Sequence, residues 1–396
     1  MSRDYVWPTS DPIIINNVMG SDISLLKEKF GALSQNNDIY SRICVGNSSV
    51  SLEPFRGCTL RCAYCMANND LRGLHDSPTR ENAIIRNPEK IFDADKLLDA
   101  LINHPVFIKD KTVLGFCTGS TEVFLKDVGD NVWNAMEHMA KIGLKNPIWL
   151  VVKSFGENAY EKWYKRFEYL SSHDIRVIIS ITDAGLPVSV EPFQPQNRFE
   201  PFRGLSGAGV ILSHHLRPIL PGISTIDALT AALEKSKNIV SSVCLGGLRI
   251  DPGMKLFWKN DMRYDYIPGN QVKELDEKLA ADVSEVVRKY NLPIFLHSSE
   301  MISHHLGIKD YNLYRYRTDN TNFLQLGADY DYIMNQTGNH DLSEILHDIA
   351  LSIGLNVDFT VDSNGNVNIT ENLKYTELHA LIQALGHSKL FQENIP

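Results

Sequence analysis

The sequence has 396 residues, of which 43% are hydrophobic, so the chain is long enough to bury a substantial core and to exceed one simple domain. No stretch approaches the roughly 18 uncharged apolar residues of a membrane span, and the N-terminus has no apolar segment of a secretory signal, so we expect a soluble, cytoplasmic protein. The net charge is −9. Residues 318–396 hold two basic and eleven acidic residues, which leaves 37 basic and 37 acidic residues in the preceding part of the chain. The charge of this larger part therefore neither favours nor excludes a polyanionic partner.

Residues 1–48 have no clear hydrophobic period and are predicted to be a lead-in to the folded part. In residues 49–300, near-continuous apolar runs alternate with helical stretches, as expected for strands buried on both faces of a sheet. The predicted strands are residues 50–52, 112–117, 148–153, 177–181, 210–212 and 243–250, and the predicted helices are residues 94–103, 131–142, 159–170, 198–206 and 227–237. Such alternation predicts an α/β fold with a parallel sheet, either open or closed into a barrel.

The pattern changes in residues 301–396. A predicted helix at 342–353 is followed by predicted strands at 357–361 and 367–369 and by a second helix at 375–385. The strands flank Asn364-Gly365, a strong hairpin signal. We therefore predict a small acidic α+β unit, helix–hairpin–helix, appended to the larger part.

Three of the six cysteines, Cys58, Cys62 and Cys65, fall within "GCTLRCAYC". In a reducing compartment, clustered cysteines are more often metal ligands or catalytic residues than disulfides. Three thiolates can bind three irons of a 4Fe–4S cluster and leave the fourth iron open for a non-protein ligand. Zinc is the competing metal, but structural zinc takes four ligands and no second pair of cysteines exists. The spacing favours an iron–sulfur cluster over a zinc site, over redox-active cysteines and over an accidental grouping of cysteines.

The sequence resembles a known family in these residues. The CxxxCxxC motif that opens an α/β chain is similar to that of the radical S-adenosylmethionine (SAM) enzymes. The segments "EPFRGCTLRCAYC", "GFCTGSTE", "LVVKS", "VIISIT" and "EPFQPQNRFEPFRGLSGAGV" follow one another as in the spore photoproduct lyase branch of that superfamily. The resemblance covers about residues 50–250. It implies a partial (β/α)6 barrel of the TIM type, with the chemistry at the carboxyl ends of the strands.

The resemblance also implies the cofactors, a 4Fe–4S cluster and S-adenosyl-L-methionine. In the family, the amino and carboxylate groups of SAM chelate the open iron. An electron from the cluster cleaves a carbon–sulfur bond of SAM, and the 5′-deoxyadenosyl radical removes a hydrogen atom from the substrate. Cys58, Cys62 and Cys65 match the cluster ligands of the family.

Other residues match the family's SAM site. Gly119, Ser120 and Glu122 lie where the amino group of SAM is bound. Lys153 matches a lysine that pairs with the carboxylate, and Ser180 matches a residue near the ribose. Without the shared register, Lys153 would be interpreted as a solvated strand end and Ser180 as a packing residue.

Two further residues match positions that handle radicals in the lyase branch. Cys117 falls where a cysteine donates a hydrogen atom to the product radical; the alternative is an inert buried cysteine. Tyr64 matches one member of a tyrosine pair that relays the radical. The second member would follow the last cluster cysteine, where this chain has Met66.

These residues predict a radical SAM enzyme that abstracts a hydrogen atom from a small molecule or a peptide in a biosynthetic modification. One alternative is repair or modification of a nucleic acid base, as in the lyase. Another is a non-catalytic binding protein stabilised by a metal. The radical SAM interpretation implies a reducing partner of the flavodoxin or ferredoxin type, and we expect no membrane partner.

Overall fold

The fold is known from a computed structural model. It describes residues 39–45, 48–60, 62, 64–65, 87–102, 107, 109–153, 155, 159–220, 222–250, 272–274, 277–308, 323–325, 341–352, 355–371, 373, 381 and 385. The predicted lead-in at 1–48 and the predicted second helix of the C-terminal unit, at 375–385, lie largely outside these residues. The division into three parts stays a prediction.

The described strands and helices alternate through most of the chain. The strands are β1 (Ile43–Val45), β2 (Val50–Leu52), β3 (Phe55–Arg56), β4 (Glu89–Lys90), β5 (Leu114–Phe116), β6 (Ile148–Val152), β7 (Val177–Thr182), β8 (Val210–Ile219), β9 (Ser242–Ile250), β10 (Val272–Glu274), β11 (Ile294–Phe295), β12 (Phe323–Gln325), β13 (Phe359–Val361) and β14 (Asn366–Ile369). The α-helices are α1 (Ala94–Ile102), α2 (Lys126–Lys141), α3 (Tyr160–Ser172), α4 (Ile226–Ser236), α5 (Glu277–Lys289), α6 (Ser298–Leu306) and α7 (Leu342–Ser352).

A nine-stranded, mostly parallel sheet forms the centre of the described fold. Its order is β1-β2-β5-β6-β7-β8-β9-β10, with β11 also paired to β9. All neighbours from β2 to β9 run parallel, as does β11 beside β9, while β1 and β10 are antiparallel edges. The parallel strands follow one another in chain order, which is the winding of a barrel-type sheet rather than of a doubly wound one. The predicted α/β fold with a parallel sheet is confirmed.

The two faces of the sheet pack differently. Alternate residues such as Leu150 and Ile179 belong to the hydrophobic core on one face, together with buried residues of α1, α2 and α3. The residues between them, such as Trp149 and Ile178, pack instead against Met301 and other residues of α6. We call these the outer and the inner face. Helix α6 covers part of the inner face, and the carboxyl ends of the strands carry the candidate site.

Three predicted elements differ from the structure in type or by more than two residues at one end. The helix predicted at 131–142 begins earlier, at Lys126, as α2. The strand predicted at 210–212 extends to Ile219 as β8, because the polar side chains of His214, His215 and Arg217 interrupt the apolar pattern although they lie within the fold. The helix predicted at 198–206 is a 3-10 helix, Glu200–Ala208, with a proline in its first turn.

The C-terminal unit contains the predicted helix, α7, and the predicted hairpin, β13–β14. In the turn, Gly365 has φ +77° and Asp362 accepts the backbone N–H groups of Asn364 and Asn366. β12 adds a third strand. The buried residues of this unit belong to the same hydrophobic core as the outer face of the large sheet. Among the described helices, none has the length and apolar character that crossing a membrane requires.

Candidate active site

A cavity of about 130 Å³, open to solvent, lies at the carboxyl ends of β5, β6 and β7 and beside the loop after β3. This end of a parallel sheet is where sites for small molecules and cofactors form. We call it the cysteine cavity; its lining includes Cys58, Leu60, Cys62, Tyr64, Cys65, Cys117, Thr118, Gly119, Ser120, Thr121, Glu122, Val151, Val152, Lys153 and Thr182. Nine of the ten site residues predicted from the sequence are in this lining, and Ser180 is not.

The three motif cysteines reach the cavity from the loop that follows β3. Gly57, immediately before Cys58, has φ +86°, a conformation that favours glycine, and lets the chain turn sharply into the loop. A backbone hydrogen bond of 3.1 Å from Cys65 N–H to the carbonyl of Cys62 closes a turn that directs both side chains to the same cavity. The local fold therefore brings together thiols that are seven residues apart.

Among the described residues, the three motif cysteines form no disulfide. Burial, with a smaller contribution from Cys65, raises the pKa of Cys58 to about 11. Burial raises the pKa of Cys62 to about 12; Lys153 acts in the opposite direction, and Cys65 and Cys58 add to the rise. These mutual effects show that the three thiols are within electrostatic reach of one another.

The arrangement of the three motif thiols can be compared with the ligands that an iron–sulfur cluster requires. Among the described residues, no three His, Cys, Asp or Glu side chains are close enough together to hold a metal ion. The three thiols nevertheless line one cavity and interact electrostatically, and thiolates are the ligands that iron–sulfur clusters take. The residues fit a three-thiolate ligand set, provided that the thiols move closer together and lose their protons when a metal binds.

Cys117 faces the motif cysteines from the end of β5. Its φ of +56° is unusual for a residue other than glycine and requires support from its surroundings. Its N–H donates to the carbonyl of Leu52 over 2.9 Å. Burial, with added effects from the carboxylates of Glu53 and Glu122, raises the pKa of the Cys117 thiol well above its usual value. Cys117 is therefore a protonated, buried thiol that lines the cavity.

Glu53 organises the loop after Cys117, and the sequence reasoning missed it. This fully buried carboxylate accepts hydrogen bonds from Gly119 N–H (3.0 Å), from the Thr118 hydroxyl (3.3 Å), from the Ser51 hydroxyl (2.7 Å) and from the Ser120 hydroxyl. The donors that were predicted to contact SAM, Gly119 and Ser120, are thus directed at Glu53. The available signal was an acidic residue directly after a predicted strand.

Glu122 connects the same loop to two other parts of the site. One carboxylate oxygen accepts Lys153 N–H over 2.8 Å, and the other lies 3.5 Å from Phe124 N. Its backbone forms a hydrogen bond with Cys58. Burial raises the pKa of the Glu122 carboxyl to about 7, although the two backbone hydrogen bonds oppose the rise.

Lys153 is part of a buried charge network with Tyr64, Glu191 and Arg198. Lys153 Nζ lies 2.6 Å and Arg198 Nη1 2.5 Å from the carboxylate of Glu191. The Tyr64 hydroxyl donates to Glu191 and accepts from Lys153. Burial acts to raise the pKa of Glu191, but the two cations outweigh it and hold the pKa below its usual value. Glu191 and Arg198 were quoted in the motif but not recognised as site residues.

Ser180 and Thr182 project from the same face of β7, two residues apart. Ser180 is fully buried and accepts the indole N–H of Trp149 over 2.8 Å, outside the cavity lining. Thr182 lines the cavity instead, and its buried hydroxyl has no hydrogen-bond partner among the described residues. The strand therefore presents Thr182, which the sequence reasoning did not select, at the level that Ser180 was predicted to occupy.

The chain is similar to some proteins of known structure. No protein-family model and no curated protein matches the chain. The solved structures that match include several of spore photoproduct lyase. A cysteine-to-serine mutant of that enzyme matches with 13% identity and a TM-score of 0.45, over 64% of this chain and 78% of the lyase. A cysteine-to-alanine mutant with dinucleoside spore photoproduct matches with 12% identity and a TM-score of 0.44 over the same shares of the two chains. A tyrosine-to-phenylalanine mutant matches with 13% identity and a TM-score of 0.42, over 61% of this chain and 75% of the lyase.

Proposed function

We propose that the chain is a radical SAM enzyme that abstracts a hydrogen atom from a small molecule or a peptide. The observation that carries the proposal is that Cys58, Cys62 and Cys65 share one cavity with Cys117 and Lys153 at the carboxyl ends of parallel strands. The chain-ordered parallel strands support a partial (β/α)6 barrel as the scaffold. We further propose that a flavodoxin-type or ferredoxin-type protein supplies the electron.

Cys58, Cys62 and Cys65 would hold the 4Fe–4S cluster. When bound, the cluster would supply the electron that cleaves a carbon–sulfur bond of SAM. The loop after β3 contributes the three thiols, and Glu122 contributes a backbone hydrogen bond to Cys58. These parts of the protein hold and orient the ligands.

The charge network supports binding of a carboxylate beside the cysteines. Lys153 and Arg198 carry two positive charges and Glu191 one negative charge, so the described network has an excess of one positive charge. Lys153 lines the cavity. The excess charge favours the carboxylate of SAM at Lys153, and the carboxyl of Glu122 lies in the same lining as an acceptor for the amino group.

Cys117 is suited to donate a hydrogen atom. A donor must keep its S–H bond, and burial keeps the Cys117 thiol protonated. Cys117 lines the cysteine cavity, in which both SAM and the product would be bound. Tyr64 is hydrogen-bonded to Lys153 and Glu191, so its direct contribution in the described structure is to anchor the cysteine loop.

The test is an anaerobic purification of the full chain, with iron and sulfide quantified before dithionite and SAM are added. About four irons per chain, the content of one 4Fe–4S cluster, and formation of 5′-deoxyadenosine are expected. Cys62→Ala should lose both, whereas Cys44→Ala, which removes a buried cysteine of β1 outside the cavity lining, should keep both. A zinc-containing protein that leaves SAM intact after reconstitution would refute the proposal and favour a metal-stabilised binding protein.

A further inference from the structure

Arg217 lies beyond the described lining of the cysteine cavity, on the same face of the sheet. In β8, Leu212 and Leu216 pack into hydrophobic cores, so His215 and Arg217 alternate onto the opposite, inner face. Thr182, which lines the cavity, is paired with His215 in the sheet register. Arg217 is two residues further toward the carboxyl end of β8. It therefore lies on the face of β8 that is continuous with the face of β7 on which Thr182 lines the cavity.

The Arg217 side chain is held in a defined position. Its Nη2 donates to the hydroxyl of Ser298, the first residue of α6, and lies 3.6 Å from the sulfur of Cys244 on β9. Gly246, also on β9, leaves room for the side chain, because a Cβ atom there would come within 3.3 Å of Arg217 Cδ. The guanidinium group is therefore fixed against β9 and α6.

The charge of Arg217 is not balanced within the described structure. Its two hydrogen-bonding contacts are with a hydroxyl and a thiol, and among the described residues no carboxylate forms an ion pair with it. Its Nε is buried and has no hydrogen-bond partner there. Lys153 and Arg198, in contrast, share Glu191. Removing an unpaired cation from water is unfavourable, and a bound anion offsets that loss.

We propose that Arg217 binds an anionic oxygen group, a phosphate or a carboxylate, of the substrate. The planar guanidinium group matches both anions, which accept two parallel hydrogen bonds from it. This inference rests on the proposed function. It assigns SAM to the cysteines and Lys153, and it assigns the anionic group of the substrate to Arg217 of β8, on the same face of the sheet. It narrows the substrate to molecules with such a group.

The test measures binding of inorganic phosphate and of acetate to the full, reconstituted chain by isothermal titration calorimetry at constant ionic strength. The wild type should bind at least one of the two, and the preferred anion separates a phosphate from a carboxylate. Arg217→Met should weaken that binding at least about tenfold, since hydrogen bonds to charged groups are of that strength.

Three matched variants test whether the anion binds at Arg217 itself. Ser298→Ala removes the hydrogen bond of Arg217 and keeps the cation, so it should bind the anion within about threefold of the wild type. Arg203→Met removes an exposed arginine that is paired with Glu200 and should bind as the wild type does. Lys96→Met removes an exposed lysine that is paired with Asp93 and should also retain the binding.

Equal binding in the wild type and in Arg217→Met, or no binding of either anion by the wild type, would overturn the inference. Equal loss of binding in Arg203→Met or Lys96→Met would show an unspecific effect of charge and would also overturn it. Iron content and 5′-deoxyadenosine are measured in the same preparations. If both are absent while binding depends on Arg217, the radical SAM proposal fails and the anion site stands. If both are present and binding does not depend on Arg217, only the anion site fails.

Discussion

Lys153 and Glu191 form a buried ion pair, with Nζ 2.6 Å from the carboxylate oxygen and side chains that are 14% and 3% exposed. The pair joins the end of β6 to the loop after β7. Through the Tyr64 hydroxyl it also holds the cysteine loop, and through Arg198 it holds the carbonyl of Thr182. One carboxylate therefore connects three separate chain segments around the cysteine cavity.

Removing this carboxylate should destabilise the protein strongly. Glu191→Ala leaves the buried cations of Lys153 and Arg198 without their partner, which is expected to lower the free energy of unfolding by about 3–5 kcal/mol. Urea denaturation of the reconstituted protein measures the change. The matched control is Glu200→Ala, an exposed carboxylate paired with Arg203, which should have little effect. Equal stability of Glu191→Ala and the wild type would show that the pair is not a structural connection.

Glu53→Gln should disturb the loop at 118–120 with little change in side-chain shape. The Gly119 N–H and the Ser120 hydroxyl donate to different carboxylate oxygens, so the amide nitrogen that replaces one oxygen removes the acceptor of one of the two. We expect a loss of about 1.5–3 kcal/mol of unfolding free energy, the contribution of one hydrogen bond to a charged group, and weaker SAM binding. Urea denaturation and equilibrium dialysis with labelled SAM check the two effects. Glu89→Gln, at an exposed carboxylate paired with Arg56, is the control; unchanged SAM affinity in Glu53→Gln would contradict a role for the loop.

Cys117→Ala should separate cluster binding from hydrogen donation. Because Cys117 is not among the proposed cluster ligands, the variant should keep its iron and form 5′-deoxyadenosine from SAM at a rate within about threefold of the wild type. With a substrate in hand, the deuterium pattern or the distribution of products should change. The iron assay and product analysis by mass spectrometry measure these outcomes. An unaltered product distribution would rule out the donor role, and loss of iron would make Cys117 a ligand.

His214 should lower the stability of the fold between pH 7 and pH 5, opposite in sign to Glu122, whose pKa of about 7 favours the folded state over the same range. Burial lowers the pKa of this fully buried imidazole to about 4, and its two nitrogens lie 2.8 Å from Ser236 Oγ and 2.7 Å from the carbonyl of Asp183. The unfolded state takes up a proton near pH 6.5, where the folded state does not, so acid favours unfolding down to about pH 4. The loss from this residue between pH 7 and pH 5 is on the order of 2 kcal/mol.

Urea denaturation at the two pH values tests this sign. In His214→Gln the free energy of unfolding should fall about 2 kcal/mol less between pH 7 and pH 5 than in the wild type, whereas His173→Gln, at an exposed histidine after α3, should match the wild type. The same pH dependence in His214→Gln as in the wild type would assign the acid sensitivity to other groups, such as His305, whose pKa is also lowered to about 4 by burial.

The sequence by itself determined the type of fold and the position of the cysteine loop. Strand β6 is a continuous apolar run and β7 is nearly so, and their hydrophobic pattern predicts both strands nearly to the residue. The spacing of Cys58, Cys62 and Cys65 is local, and a short loop keeps such thiols near one another wherever it lies. Polar residues within β8 concealed its full length, because the sequence does not show that their side chains are buried inside the fold.

Only the tertiary structure decided which polar side chains face one another. Glu53 and Glu191 are far apart along the chain from most of the groups that they bind, and no periodicity reports such contacts. The alternation of β7 placed Thr182 at the cavity and Ser180 beside Trp149, a difference that depends on how far the cavity extends along the strand. Backbone hydrogen bonds and hydrophobic periods are encoded locally, whereas the partner of a buried charge is set by the packing of the whole sheet.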